Sequence, residues 1–140
     1  GLQALAAELN DADAVTFYGS VPAQEVPKFT ALADALLISL ADTPDLGMTI
    51  PGKLASYMAA GKPVVAAMNG AGAEAVQQSG GGLVSAACDE DALAENLLSL
   101  CAMPLPEREV MGQKAKAYYE KHYRRAELLR RLETFILQGE

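Results

Sequence analysis

Thr49-Ile50-Pro51-Gly52-Lys53-Leu54-Ala55-Ser56-Tyr57-Met58-Ala59-Ala60-Gly61-Lys62-Pro63-Val64-Val65-Ala66 decides the fold. Pro51 suits the first position of a helix, where a missing N–H is not needed. Thr49 or Ile50 then falls near the N-cap, and Thr49 carries an oxygen able to cap. Gly61 sits where a left-handed C-cap is wanted, and Pro63 forbids further helix. A buried strand follows at once. The stretch therefore reads as a helix leading straight into a strand. The free N–H groups at its start, the helix dipole and Lys53 together make an anion site, with phosphate the natural ligand.

Outward from this stretch the same alternation continues. Leu2, Leu5, Ala6 and Leu9 recur at helical spacing, with Asn10 closing the turn. Val15-Thr16-Phe17-Tyr18 is β-branched and aromatic and stops at Gly19, which predicts a strand. Pro22 opens a helix bearing Val26, Phe29, Leu32 and Ala33 on one side. Ala35 to Leu40 is a continuous apolar run, as in a parallel strand covered on both faces. Ala41 to Met48 holds the turn formers Asp42, Pro44, Asp45 and Gly47. After the strand from Pro63 to Ala67 come a tight loop at Asn69 to Gly72, a short helix from Ala73 to Gln78, and a flexible connector at Gly80 to Gly82. Leu83-Val84 reads as a fourth strand, and Asp89, Glu90 and Asp91 open the next helix. Further helices are expected from about Glu107 to His122 and from about Arg124 to Leu137. The pattern predicts a three-layer, Rossmann-like parallel α/β sheet with helices on both faces.

Composition agrees with one domain over residues 1–140, its C-terminal helices in 107–137. The chain has 140 residues, 51% hydrophobic, enough for a proper core. Its apolar runs are too short to span a bilayer, and the start at Gly1, without methionine, reads as a fragment. A formal charge of −7 argues against a nucleic-acid partner. The cations are unevenly placed. Eight of the 11 lie from Arg108 onward, either on a solvated helix face or on a surface meeting an anionic membrane or another domain. Cys88, Cys101 and the lone His122 assemble no metal set, so neither metal nor cofactor is expected.

Ligands of parallel sheets bind beyond the carboxyl ends of the strands. The loops there are Gly19-Ser20-Val21, Ala41 to Thr49, and Asn69 to Gly72. Gly70-x-Gly72 lacks the third glycine of a dinucleotide loop and reads as a tight turn. Glu74 reads as an acid complementing its helix dipole, and Asp42 and Asp45 as turn residues.

Several segments, in order, resemble a known family: Val15 to Pro22, Ala33 to Ile38, Pro51-Gly52-Lys53, Tyr57 to Ala66, Gly72-Ala73-Glu74, Gly82-Leu83-Val84, and Asp89 to Ala94. Together they look like the C-terminal, donor-nucleotide-binding domain of bacterial glycosyltransferases of the GT-B architecture. The closest subgroup is the retaining enzymes of group 1 that build capsule, exopolysaccharide and O-antigen. The resemblance covers roughly residues 1–137. It implies an NDP-sugar donor, most often a UDP-sugar, whose sugar passes to a glycan or lipid-linked acceptor. It also implies an N-terminal acceptor domain, and an opening strand and helix of the donor domain itself, that this sequence lacks, and a cytoplasmic location, at the inner face of the membrane if the parent protein touches it. Gly19, Ser20 and Val21 would pass near the nucleobase. Thr49, Ile50, Pro51, Gly52 and Lys53 would face the diphosphate and ribose, and Leu46, Gly47 and Met48 the donor sugar.

The chain departs from the family at two positions. Relatives carry a pair of glutamates around this helix, of which the first falls near Met48 and the second, a ribose ligand, aligns with Ser56. Serine is a weaker acceptor than a carboxylate. No catalytic residue is assigned, and a fragment of this kind is expected to be inactive alone. The alternative is a non-catalytic, receiver-like or nucleotide-binding regulatory module. A working receiver would need an aspartate where Ser39 stands and a lysine where Ala86 stands.

Overall fold

A computed structural model describes residues 1–138; the last two residues of the expected domain, 139–140, lie outside it. Eleven elements follow in order: α1 (Leu2–Glu8), α2 (Val26–Leu32), β1 (Leu36–Ser39), α3 (Pro44–Gly47), α4 (Gly52–Ala59), β2 (Val64–Ala67), α5 (Ala71–Ser79), β3 (Gly82–Ser85), α6 (Glu90–Ala102), α7 (Leu105–His122) and α8 (Arg125–Gln138). The three strands form one parallel sheet in the order β1-β2-β3. Leu36 pairs with Val64, and Val64 with Gly82. The fold is α/β and Rossmann-like, with helices around the sheet, as the alternation predicts.

β2 is the central strand, and all four of its residues are buried. Side chains alternate across a sheet, so Val64 and Ala66 serve one face and Val65 and Ala67 the other. On the first face Ile38, Val64, Ala66 and Met68 form one cluster with Leu54 and Met58 of α4, Ala73, Ala75 and Val76 of α5, and Ala115 of α7. Leu54 and Met58, one turn apart on α4, are wholly buried. Removing such a side chain to alanine costs about 2–5 kcal/mol. Helix α6 packs against β2 and β3 and buries Leu100. Its start is well capped: Asp89 Oδ1 accepts from the Ala92 N–H at 2.9 Å, with Glu90 and Asp91 in the first turn.

Four local readings need correction. Val15–Tyr18 forms no strand among the described residues, so the sheet has three strands there and not four. Strand propensity needs a ladder partner, and β1 pairs only with β2. Tyr18 instead packs edge-on against Phe29, ring centres 4.9 Å apart. The turn-rich segment after β1 contains a one-turn helix, α3, with Pro44 at its start. Helix α4 begins one residue later than expected: Pro51 is its N-cap, and the Thr49 hydroxyl does not cap it but donates to the Leu46 carbonyl at 3.3 Å. Finally, Gly80–Gly82 is no flexible connector. A Cβ on Gly82 would lie 2.0 Å from the Val64 carbonyl oxygen, and one on Gly81 2.5 Å from Ala115 Cα. These glycines let backbone pass against backbone.

On α8, Glu127 accepts from Arg130 at 2.7 Å and from Arg131 at 3.0 Å. Hydrogen bonds from Arg130 and then Arg131 hold its carboxyl down to about 2, against 4.5 for a free glutamate. A depressed carboxylate pKa stabilises the fold above the unfolded value and loses that support as pH falls toward the folded one. An acid titration followed by side-chain carboxyl ¹³C shifts should therefore give Glu127 a midpoint near 2, with helix α8 weakening between pH 4.5 and 2; a midpoint at the free value removes the contact. Gly82→Ala should cost roughly 3 kcal/mol in urea unfolding, because backbone must move. Gly52→Ala, where an added Cβ meets nothing within 4 Å, should be neutral or stabilising by about 0.5–1 kcal/mol.

Candidate functional site

The three strands end together at Ser39, Ala67 and Ser85, and a rim of loops stands on those ends. Asn69 lies in the middle of it. Its Nδ2 donates to Asp42 Oδ1 in the loop after β1, at 2.9 Å. Its Oδ1 accepts from the Ala87 N–H in the loop after β3, at 3.2 Å. One exposed side chain thus ties all three loops.

Next to it the backbone closes up. Gly70 adopts a left-handed φ of +75°, and a Cβ there would lie 1.9 Å from the Gly47 carbonyl oxygen. A Cβ on Gly72 would meet Met68 Sδ at 2.6 Å and Pro51 Cδ at 3.1 Å. The end of α3 and the start of α4 are therefore seated on the start of α5. Only glycine permits an approach this close.

Helix α4 starts without any side-chain cap. The Leu54 N–H turns back to the Pro51 carbonyl at 2.9 Å, while Gly52 and Lys53 precede it on the first turn. Free N–H groups at a helix start carry partial positive charge and favour an anion. Lys53 is exposed and makes no ion pair among the described residues. A cation on the first turn of a helix stands against the dipole unless an anion joins it.

The expected site residues fall into two groups. Leu46, Gly47, Met48, Thr49, Ile50, Pro51, Gly52 and Lys53 form one continuous rim segment from α3 into α4, with Met48 and Ile50 exposed. Ser56 lies one turn further on. Its hydroxyl only grazes the Gly52 carbonyl, at 3.5 Å, and it lines a groove of about 360 Å³ between α4 and α2 with Ala23, Val26 and Tyr57. Gly19, Ser20 and Val21 precede the groove residue Ala23 in the chain, with a bend at Ser20 and Gly19 at φ +70°. Lys53 does not line the groove. Asn69 was legible only as part of a tight loop: an asparagine before glycine is a common turn signal, and its partner Asp42 lies 27 residues earlier. No group of three or more metal-ligating side chains occurs among the described residues.

Fold and rim together define a Rossmann-like domain that presents loops at the carboxyl ends of a parallel sheet. The family model for glycosyl transferases group 1 matches residues 1–103, and the chain belongs to that family. Among solved structures it is similar to sucrose-phosphate synthase from Thermosynechococcus elongatus, with a TM-score of 0.82 at 20% identity. That likeness covers 98% of this chain and 33% of the other, so this chain spans about a third of that enzyme's length. No curated protein sequence matches.

Because the Gly47–Gly70 contact is backbone on backbone, Gly70→Ala should loosen the rim more than the core. Faster amide hydrogen exchange at residues 43–49, with exchange in β2 unchanged, is the expected result. Equal exchange throughout would show that the contact does not hold the loop.

Proposed function

We propose that this chain is the C-terminal, donor-binding half of a GT-B glycosyltransferase, in which the first turn of α4 receives the diphosphate of an NDP-sugar. The observation that carries this reading is the uncapped start of α4, with Lys53 beside it in no ion pair among the described residues, at the carboxyl end of the sheet. Family membership supports glycosyl transfer as the reaction of the parent protein.

In this reading the Gly52 and Lys53 amides and the Lys53 ammonium meet the diphosphate oxygens. Their charge counts most when the glycosidic bond breaks, because the departing nucleoside diphosphate then gains negative charge. Gly19, Ser20 and Val21 approach the base, Ser56 offers one hydroxyl to the ribose, and Leu46 to Met48 border the sugar. The donor is a UDP-sugar and the acceptor a glycan or lipid-linked saccharide of cell-surface polysaccharide synthesis. A second α/β domain brings the acceptor, at the cytoplasmic side of the membrane. This chain contributes binding and positioning.

Titration of the labelled chain with UDP, GDP, ADP and CDP tests the reading through amide shifts. Shifts clustered at Gly19 to Val21 and Thr49 to Ser56 for one nucleotide are expected. Lys53→Glu should weaken that binding about tenfold or more, since a favourable charge contact becomes a repulsive one, while the melting temperature stays unchanged. Unaltered affinity in this variant would remove Lys53 from the diphosphate site.

A further inference from the structure

We infer that Asn69 is the positioning residue of the donor site: by bridging Asp42 and Ala87 it fixes the loop that carries residues 46–49 into α4. The inference deepens the donor-binding reading and rests on it. Asn69 belongs to none of the segments assigned to the donor, yet it touches both flanking loops.

The polarity of the bridge is set by chemistry. The Ala87 N–H can only donate, so the Asn69 carbonyl oxygen must face it at 3.2 Å. The amide NH₂ then points the other way, to Asp42 Oδ1 at 2.9 Å. Among the side chains of similar shape, only asparagine offers an acceptor on one side and a donor on the other. Aspartate would keep the Ala87 contact and set two carboxylates against each other. The Ala86–Asp89 turn that carries Ala87 is itself closed by the Asp89 N–H on the Ala86 carbonyl, at 3.4 Å, and leads into the cap of α6. Asn69 is therefore anchored on the β3 side and holds the β1 side in place.

Only a few residues separate Asp42 from the donor segment. Thr43 stands at the N-cap position of α3 without a side-chain cap, the Gly47 N–H donates back to the Thr43 carbonyl at 3.1 Å, and α3 ends against Gly70. Asp42 and Gly47 are thus two attachment points of one short loop, the first through Asn69 and the second through the neighbouring glycine. With the first released, the loop swings about the second, and the residues leading into the start of α4 move with it.

The test is a charge swap in the full chain. Asn69→Asp should lower the affinity for UDP, or for whichever nucleoside diphosphate binds, by about fivefold or more through loss of a charge-assisted bond. It should also speed amide exchange at residues 43–49. Adding Asp42→Asn rebuilds the bridge with reversed polarity and should restore both affinity and exchange to within about twofold, as expected for coupled partners. Melting temperatures are measured alongside, because a generic loss of stability would lower them and speed exchange throughout the chain rather than at residues 43–49 alone. If Asn69→Asp binds like the native chain, or if the swap recovers melting temperature but not affinity, the inference falls. If no nucleotide binds the native chain, the donor reading falls and takes the binding role of Asn69 with it. Exchange at residues 43–49 then still decides whether the bridge fixes the loop.

Discussion

Strand β2 is the member on which everything else is hung. It is hydrogen-bonded along both edges and buried on both faces, so its position is determined from four sides. A four-residue strand of two valines and two alanines achieves this because its neighbours are small or absent where space is short. Gly82 lets β3 pass against Val64, and Ala115 brings α7 close. The same economy recurs where Gly112 of α7 meets Gly61: a Cβ on Gly112 would lie 2.2 Å from the Gly61 carbonyl oxygen. Helix α7 is thus pressed on the turn between α4 and β2, and that turn delivers β2 into the sheet.

The rim at the carboxyl ends is built differently. It is largely exposed, and its exposed positions include the apolar Met48 and Ile50. Asn69, Asp42 and the Gly47–Gly70 contact do the fastening there, with neighbours that hydrogen-bond or touch through backbone. A rigid floor with an exposed rim of loops is the usual division of labour in open α/β sheets, since packing fixes the strands and loops meet the ligand.

Elements punctuated by local chemistry were readable from the chain alone. Pro51 and Gly61 bracket α4 closely because proline and glycine act on their own backbone, whatever lies around them. Asp89 caps α6 for the same reason, and the apolar run located β1, although the strand is covered on one face and not on both as expected: Leu36 and Ile38 are buried while Leu37 is exposed. Features that depend on distant partners were not readable. Val15–Tyr18 has the residues of a strand and lacks a ladder neighbour. Gly81 and Gly82 read as slack because their contacts are with Ala115 and Val64, in other elements. Of the candidate site, the segment from Leu46 to Lys53 emerged as one piece, while the role of Ser56 in a groove with α2 and the bridge through Asn69 depend on how elements pack.

The contacts that seat the rim on the floor involve main-chain atoms at Gly47 and Gly70, and main-chain atoms do not change when a residue is replaced elsewhere. The exposed side chains of Met48 and Ile50 can be exchanged freely without disturbing that seat. A lineage carrying this domain could therefore rewrite its recognition surface repeatedly and inherit the same scaffold each time. Innovation is confined to the exposed positions, and the glycines are what confine it.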